Sequence, residues 1–240
     1  MATVSTAIGI MCKAPHPGRT KTRLGAVIGA QAATALSVCF LRDVAAAIEA
    51  VPASSGRHGY GVYAPAGAEA ELRAILPRSF DLLLEADESF GLVLFGATRD
   101  LLTVGHDCVL LINSDSPTLP PSLLVQAMEA LHLPGDRVVL GPAIDGGYYL
   151  IGLKVPHHRL FMDIPWGTTD VARLTIERAA EIGLQIVLLP EWYDVDDAET
   201  LAMLREELAG RPIRVTGNGL SGGAAIATRA YLSTLTIAAK

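Results

Sequence analysis

The chain has 240 residues, half of them hydrophobic, and its 19 basic and 25 acidic residues give a net charge of −6. The apolar content excludes a mostly disordered chain, and the negative charge argues against a large nucleic-acid-binding surface. This length fits one large α/β domain, alone or with a short appendage. We therefore expect no nucleic-acid partner.

The cysteines and the hydropathy pattern bear on the cellular location. Cys12, Cys39 and Cys108 are odd in number and lack C-x-x-C spacing, which indicates reduced, buried thiols. No apolar run approaches the roughly 18 residues of a membrane helix, and the N-terminal residues lack the basic start of a secretion signal. The prediction is a cytoplasmic protein without a membrane span.

Short apolar runs alternate along the chain with longer segments of helical period. The apolar runs predict strands over Ala7–Met11, Gly59–Tyr63, Asp81–Leu84, Cys108–Ile112, Val138–Leu140, Tyr148–Leu153 and Ile186–Leu189. The longer segments predict helices over Ala30–Glu49, Ala68–Leu76, Val93–Leu102, Ser122–Leu131, Asp170–Ile182 and Ala198–Leu208. This alternation predicts a mainly parallel sheet covered by helices on both faces. Only a glycine-rich loop separates the fifth and sixth strands, so we expect the sixth to run antiparallel.

The composition changes near residue 210. We expect residues 1–209 to form one domain, followed by a Gly-, Ser-, Thr- and Ala-rich segment over 210–240 that contains no acidic residue. A linker and then a terminal helix over Ala224–Leu235 are predicted for this segment.

The first candidate site is a basic segment directly after the first strand. Lys13, Arg19, Lys21 and Arg23 fall within eleven positions, and the two prolines and one glycine between them predict a structured loop rather than a helix over 12–24. Lys and Arg on such a loop suit an anionic ligand. The alternative is a solvated basic loop.

Carboxylates follow two of the predicted strands. Asp115 comes just after the fully apolar strand 108–112, at the edge of the sheet where ligands bind in open α/β folds. It is well placed for Mg²⁺ or Mn²⁺, although Asp115 or Ser116 could instead cap a helix. After the last strand, Asp194, Asp196 and Asp197 lie within four residues. Helix capping, with Asp197 as the N-cap, explains one or two of them, and a further carboxylate could complete a metal site with Asp115.

Two further segments combine glycine with polar or aromatic residues. Asp145 beside Gly146 and Gly147 could be a general base, a hydroxyl-binding group or a turn-former. Trp166, in a Pro/Gly loop before a helix, is either a core residue or a platform for a ring.

Together these segments resemble the bacterial radical-SAM/selenodomain-associated transferase 1 family, which belongs to the nucleotide-diphospho-sugar transferase superfamily. The resemblance rests on AIGIMCKAPHPGRTKTRL (7–24), SDSPTLP (114–120), GPAIDGGYYLIGL (141–153), PWGTT (165–169) and YDVDDAETL (193–201). It covers roughly residues 6–208 in the expected order. Phospholactate guanylyltransferases and molybdenum-cofactor nucleotidyltransferases are similar more distantly.

The resemblance implies a three-layer α/β, Rossmann-like GT-A fold with a mostly parallel mixed sheet, and it implies roles for particular residues. The residues implied to hold the donor diphosphate are Lys13, Gly18, Lys21 and Arg23. Those implied to bind Mg²⁺ or Mn²⁺ are Asp115 and Asp196, and the implied base is Asp145. Those implied to face the donor sugar or the acceptor are Gly146, Gly147, Trp166 and Thr168.

The implied function is a metal-dependent transferase that moves a sugar from a nucleoside-diphosphate sugar to a hydroxyl of a small-molecule acceptor. One alternative is a nucleotidyltransferase that moves NMP from an NTP to a phosphorylated small molecule and releases pyrophosphate. Sugar-nucleotide pyrophosphorylases carry a Gly-rich opening loop, whereas residues 11–23 contain only Gly18. This difference favours sugar transfer. A nucleotide-binding protein without catalysis is the second alternative.

Overall fold

The computed structural model describes residues 4–86, 88–215 and 220–235. Its strands are β1 (Thr6–Lys13), β2 (Arg57–Ala64), β3 (Asp81–Leu84), β4 (Cys108–Asn113), β5 (Arg137–Pro142), β6 (Tyr148–Leu153) and β7 (Gln185–Leu188). They form one sheet in the order β3-β2-β1-β4-β6-β5-β7. All neighbours pair in parallel except β6, which runs antiparallel to β4 and β5. The predicted strands, including the antiparallel one, are confirmed.

The helices are α1 (Thr22–Ile28), α2 (Ala30–Ala50), α3 (Glu69–Ile75), α4 (Phe90–Val104), α5 (Pro121–His132), α6 (Val171–Glu181), α7 (Ala198–Leu208) and α8 (Ile226–Thr234). Short 3₁₀ turns lie at Ala53–Ser55 and His158–Phe161. The helices predicted from Ala30 onward are confirmed, with ends shifted by at most three residues.

The prediction of a loop through residue 24 is wrong at its end, because α1 begins at Thr22. The residues that disfavour a helix, Pro15, Pro17 and Gly18, all precede this point. Lys21 takes a left-handed conformation (φ 49°) as the N-cap, and Leu24 is fully buried in the core. Arg23 therefore lies on a helix rather than on a loop.

Apolar side chains fill both faces of the sheet. β4 shows this best: its residues 108–112 are at most 2% exposed. Because side chains alternate along a strand, Leu110 packs towards α2 and α5 in one cluster, and Val109 and Leu111 pack towards α4 in the other. Helices on both faces make three layers, which confirms the predicted fold class.

Helix α2 is long and apolar enough to cross a membrane by length and composition, so the expectation that no apolar segment reaches this length is wrong. Leu36, Phe40, Val44 and Ile48 recur every fourth residue on one side of α2 and are all fully buried. Packing in the core of this domain therefore accounts for the apolar character of the helix.

The described part of the C-terminal segment contacts the rest of the chain. The amide of Gly223 donates to the carbonyl of Thr118 (2.7 Å). The amides of Ala227 and Thr228, in the first turn of α8, donate to the two carboxylate oxygens of Asp43 (2.9 and 2.8 Å). Residues 216–219 and 236–240 of this segment lie outside the described residues, and the division at residue 209 stays a prediction.

Candidate active site

Four loops meet at the carboxyl edge of the sheet. They follow β1 (14–21), β4 (114–120), β5 (143–147) and β7 (189–197). Because these four strands are parallel, their carboxyl ends lie at the same edge. The amide of Val195 donates to the carbonyl of Asp115 (2.9 Å), which fastens the last of these loops to the second.

Lys21 joins two of the predicted site residues. Its Nζ lies 2.9 Å from Asp115 Oδ1 and also donates to Asp196 Oδ1. The Lys21 side chain is only 6% exposed, whereas each carboxylate is 31% exposed. Burial alone lowers the pKa of Lys21, but the charges of Asp115 and Asp196 outweigh it and hold the pKa above its usual value. Lys21 is therefore charged and paired with both aspartates.

Arg23 extends this ion-pair network towards solvent. Its Nη2 donates to Asp196 Oδ2 (2.8 Å), and its side chain is 70% exposed. Asp196 thus pairs with a buried ammonium through one oxygen and with an exposed guanidinium through the other. An exposed pair of this kind contributes little to stability, which leaves Arg23 available to an anionic ligand.

The two carboxylates suit a divalent cation in number and type. Mg²⁺ and similar ions are held by one or two carboxylates and take their other ligands from water and phosphate oxygens. Asp115 and Asp196 converge on one point, which the Lys21 ammonium fills. The described residues contain no group of three or more Asp, Glu, His or Cys side chains that could hold a metal. A metal ion would therefore be bound by this pair after Lys21 moves away.

Asp194 is a site residue to which no role is assigned from the sequence. Tyr193 and Val195 are fully buried, whereas Asp194 and Asp196 are partly exposed. Burial, and then the charges of Asp196 and Asp145, raise the pKa of Asp194 to about 7. The sequence does contain a signal for this residue. In the run of three aspartates, Asp197 is the predicted cap and Asp196 the predicted metal ligand, which leaves Asp194 without a role.

The capping predictions have opposite outcomes. Asp197 is the N-cap of α7, since its Oδ1 accepts from the amide of Thr200 (3.0 Å) within a capping box. Asp115 and Ser116 cap no helix: α5 begins at Pro121, and the Ser116 hydroxyl instead donates to the buried carbonyl of Tyr193 (2.8 Å). The capping alternative for Asp115 is therefore wrong.

The residues in the turn between β5 and β6 have different roles. Asp145 Oδ1 accepts from the amide of Gly147 (2.8 Å), so Asp145 does form the turn, and it also lines a cavity described below. Gly146 has φ +90°, and a Cβ there would lie 2.1 Å from the carbonyl oxygen of Thr169. Gly146 thus lets the 165–169 loop pack against the turn, which is a structural role.

Trp166 stands between two other rings. It meets Phe90 edge-to-face at 5.1 Å between centroids, and Tyr148 at 6.2 Å. It is partly exposed and lines a cavity, and it also packs against the core cluster on that face of the sheet, so its position fits both interpretations of this residue. The hydroxyl of Thr168 donates to the carbonyl of Pro165 (2.8 Å), which holds the loop in shape.

Three adjoining cavities lie along this edge. The basic cavity, about 430 Å³, has as its charged lining residues Lys13, Arg19, Lys21, Arg23, Asp115 and Asp196. The aromatic cavity, about 410 Å³, includes among its lining residues Phe90, Tyr148, Tyr149, Trp166, Arg23, Asp145 and Asp196. The outer cavity, about 920 Å³, includes among its lining residues Lys13, Arg19, Ala64, Pro65, Ala66, Leu84, Glu85, Ala86 and Glu88. The basic cavity shares lining residues with each of the other two cavities, so it lies between them.

Most of the predicted site residues meet at these cavities. Gly147 and Thr168 join Asp145 and Trp166 on the aromatic cavity. Gly18 and Gly146 line none of the three cavities.

Solved structures support the fold and the class of protein. A provisionally assigned nucleotide-diphospho-sugar transferase from Desulfovibrio desulfuricans G20 is 29% identical, with 96% of this chain and 94% of that chain covered and a TM-score of 0.79. CMP:2-keto-3-deoxy-manno-octonic acid synthetase, complexed with CTP, is 14% identical, with coverage of 86% and 99% and a TM-score of 0.52. Glucosyl-3-phosphoglycerate synthase from Mycobacterium tuberculosis, in complex with Mn²⁺, UDP and glucosyl-3-phosphoglycerate, is 13% identical, with coverage of 88% and 82% and a TM-score of 0.50.

The similarity to the synthetase and to the synthase bears on the fold alone, whereas the similarity to the Desulfovibrio protein supports a transferase. No curated protein of known function matches the chain. The resemblance to the radical-SAM-associated family stays a prediction. The family model described as an uncharacterized protein conserved in bacteria (DUF2064) matches residues 47–168, just over half of the chain, and the chain therefore belongs to this family.

Proposed function

We propose that this protein is a metal-dependent transferase that moves a sugar from a nucleoside-diphosphate sugar to a hydroxyl of a small-molecule acceptor. The observation that carries the proposal is the basic cavity with the Asp115 and Asp196 carboxylates at its centre, placed between two cavities of different chemistry. The likeness to the Desulfovibrio protein supports the same class of donor.

The charges of the cavities support a position for each part of the donor. Four basic and two acidic residues line the basic cavity, which suits a diphosphate. In the outer cavity Lys13 and Arg19 are balanced by Glu85 and Glu88, which suits an uncharged nucleoside. A donor that spans both cavities directs its sugar towards the aromatic cavity, because that cavity adjoins the basic one on the other side.

Asp115 and Asp196 would hold Mg²⁺ or Mn²⁺ in this proposal. When bound, the ion supplies positive charge to the departing diphosphate. With these carboxylates occupied by an ion, Lys21 would be free to pair with phosphate oxygens. Lys13 and Arg23 add positive charge on either side, so that these groups together stabilise the leaving nucleoside diphosphate.

Asp145 is the base that we propose for the acceptor. Its carboxylate lines the aromatic cavity, and the hydrogen bond from Gly147 fixes its position. Asp145 accepts the proton of the acceptor hydroxyl as that oxygen bonds to the anomeric carbon. The bond between the anomeric carbon and the diphosphate oxygen breaks, and the electron pair leaves with the nucleoside diphosphate.

Thermal unfolding with a panel of NDPs, NTPs and NDP-sugars, each with and without Mn²⁺, tests the proposal. A ligand that binds only the folded state adds about 2.7 kcal/mol of stability at a hundredfold excess over its Kd. We expect metal-dependent stabilisation by one NDP and its sugar, lost in Asp115→Asn and kept in the control Glu199→Gln. Preference for an NTP would favour nucleotidyl transfer, and stabilisation without product from any acceptor would favour a binding protein.

A cytoplasmic location is part of the same proposal. Nucleotide donors are made inside cells, and the three cysteines are buried and free. Buried thiols of this kind fit a reducing compartment.

A further inference from the structure

We infer that the aromatic cavity binds an uncharged acceptor that carries a ring beside its reacting hydroxyl, and that it discriminates against phosphorylated acceptors. The inference rests on the proposed function and adds the chemical class of the second substrate. Three properties of the cavity carry it: its charge, its exposed rings and its polar groups.

The charge of the cavity opposes a phosphate. Among the described residues that line it, Arg23 is the one cation, whereas Asp145 and Asp196 are both acidic. The guanidinium of Arg23 already donates to Asp196 at 2.8 Å, so much of its charge is compensated there. With the proposed ion on Asp196 and the donor phosphates on Arg23, Asp145 is the charged group left among these lining residues, so a phosphate here would face a carboxylate without a free cation, and like charges at close range repel. The adjoining basic cavity has the opposite balance, so the phosphates of the donor belong there.

The rings provide a surface for an apolar or ring-shaped group. Phe90, the first residue of helix α4, is 48% exposed, and the ring of Trp166 contacts it edge-to-face. Leu94 and Leu111 form the apolar base of the same cavity. A ligand ring that covers Phe90 removes apolar surface from water, which is favourable in proportion to the area buried.

The polar groups in this cavity suit hydroxyls. Asp145 accepts hydrogen bonds through its carboxylate, Asn113 lines both this cavity and the basic one, and Thr168 adds a hydroxyl at the rim. A few placed polar groups in a mostly apolar cavity fix the orientation of a small ligand. Together with the rings, they fit a molecule with one ring face and hydroxyls at its edge.

This chemistry separates the two transfer reactions. In the nucleotidyl-transfer alternative named above the acceptor is phosphorylated: an oxygen of its phosphate attacks the α-phosphorus of the NTP, and pyrophosphate leaves. Sugar transfer requires only a hydroxyl, and a cavity with a net negative lining accommodates a neutral molecule more readily than a phosphate.

The test uses the full chain saturated with Mg²⁺ and with the NDP that stabilises it most, and it measures acceptor binding by saturation-transfer NMR. The probes are phenyl β-glucoside as the neutral ring compound and glucose 6-phosphate as the phosphorylated one. We expect the Kd of phenyl β-glucoside to be at least about tenfold lower than the Kd of glucose 6-phosphate. Phe90→Ala should weaken binding of this probe about tenfold and should weaken NDP binding by less, because Phe90 lines the basic cavity as well as the aromatic one. The control Ile226→Ala, at a 73% exposed residue on α8, should change neither affinity.

The inference is overturned if glucose 6-phosphate binds as tightly as phenyl β-glucoside or more tightly. It is also overturned if the neutral probe fails to bind, or if Phe90→Ala leaves its affinity unchanged. Asp145→Asn removes the negative charge that a phosphate would face, so it should narrow the ratio between the Kd values of the two probes. If no NDP stabilises the protein in the first place, the proposed function itself fails, and the two failures are therefore distinguishable.

Discussion

The ammonium of Lys21 lies 2.9 Å from Asp115 Oδ1, and the same ammonium also donates to Asp196. A lysine therefore occupies the point on which the two expected metal ligands converge. Lysine and a divalent cation cannot both be held there, because each neutralises the same two carboxylates. In the proposed site Lys21 would therefore compete with the metal when no donor is bound, and donor phosphates would favour the metal by pairing with the released ammonium.

We expect Lys21→Met to bind Mn²⁺ at least about tenfold more tightly than the unmodified protein when no nucleotide is present. The reason is that removal of the ammonium leaves two carboxylates without their main partner, and opposite charges a few ångströms apart interact by several kcal/mol near a protein surface. Electron paramagnetic resonance of free Mn²⁺ measures the affinity directly. Lys154→Met, at a lysine away from the site, is the control, and an unchanged or weaker Mn²⁺ affinity in Lys21→Met would contradict the competition.

The Asp197 cap is predicted to stabilise helix α7. Its carboxylate accepts from the amide of Thr200, while the Thr200 hydroxyl donates back to Asp197. Asp197→Ala should lower the free energy of unfolding by about 1 kcal/mol, the usual effect of losing such a cap. Urea unfolding gives this value, and Glu199→Ala, an exposed residue in the same turn, should change it by less than about half as much. Equal effects of the two variants would show that the cap contributes nothing.

Gly146 is predicted to tolerate no side chain. Both its φ of +90° and the 2.1 Å approach of a Cβ to the Thr169 carbonyl oppose Gly146→Ala. Gly183→Ala is a matched control, because Gly183 has φ +65° but nothing within 4 Å of the added Cβ. A left-handed conformation costs an alanine roughly 1–2 kcal/mol, so the control should lose about that much stability and Gly146→Ala clearly more. If both variants unfold at the same urea concentration, the contact with Thr169 is not important.

The ring of His106 links Ser5, the residue before β1, to Tyr60 in β2. Its Nδ1 is hydrogen-bonded to the hydroxyl of Ser5 (2.7 Å) and its Nε2 to the hydroxyl of Tyr60 (2.8 Å). Burial, and then the nearby charge of His58, lower the pKa of His106, which outweighs the opposite effect of Asp107 and Asp81. The folded protein therefore binds a proton at His106 less readily than the unfolded chain does.

A pH dependence of stability follows from this lowered pKa. The stabilisation is complete above the unfolded pKa of roughly 6.5 and is lost as the pH falls through the folded pKa, because the unfolded state then binds more protons. We expect the melting temperature to fall between pH 7.5 and pH 5.5 by more in the unmodified protein than in His106→Asn. His158→Asn, at an exposed histidine, should keep the full dependence. Identical pH profiles for all three proteins would contradict this role of His106.

The sequence was sufficient to predict the layers of the fold and the edge that carries the site. Strand β4 is apolar at every position, which predicted burial on both faces and placed Asp115 at the carboxyl end of a central strand. The short loop before Tyr148 predicted the antiparallel strand β6. These features are local, so that the pattern of neighbouring residues determines them.

The features that could not be predicted depend on contacts between distant segments. The pairing of Lys21 with Asp196 joins residues 175 positions apart, and Lys21 makes it from a left-handed conformation. The position of Asp194 depends on the burial of its two neighbours, and the need for glycine at position 146 depends on the approach of Thr169. Neither propensity nor spacing contains this information, since each contact forms only when the loops meet.

The central claim is that a divalent ion on Asp115 and Asp196 meets the diphosphate of a donor in the basic cavity. Broadening of the ³¹P resonances of the bound NDP by Mn²⁺ tests it most directly, because the effect requires the ion to lie within a few ångströms of the phosphates. We predict strong broadening of both phosphate signals with the unmodified protein, and its loss in Asp115→Asn and in Asp196→Asn. Equal broadening in the unmodified protein and in both variants would contradict the claim.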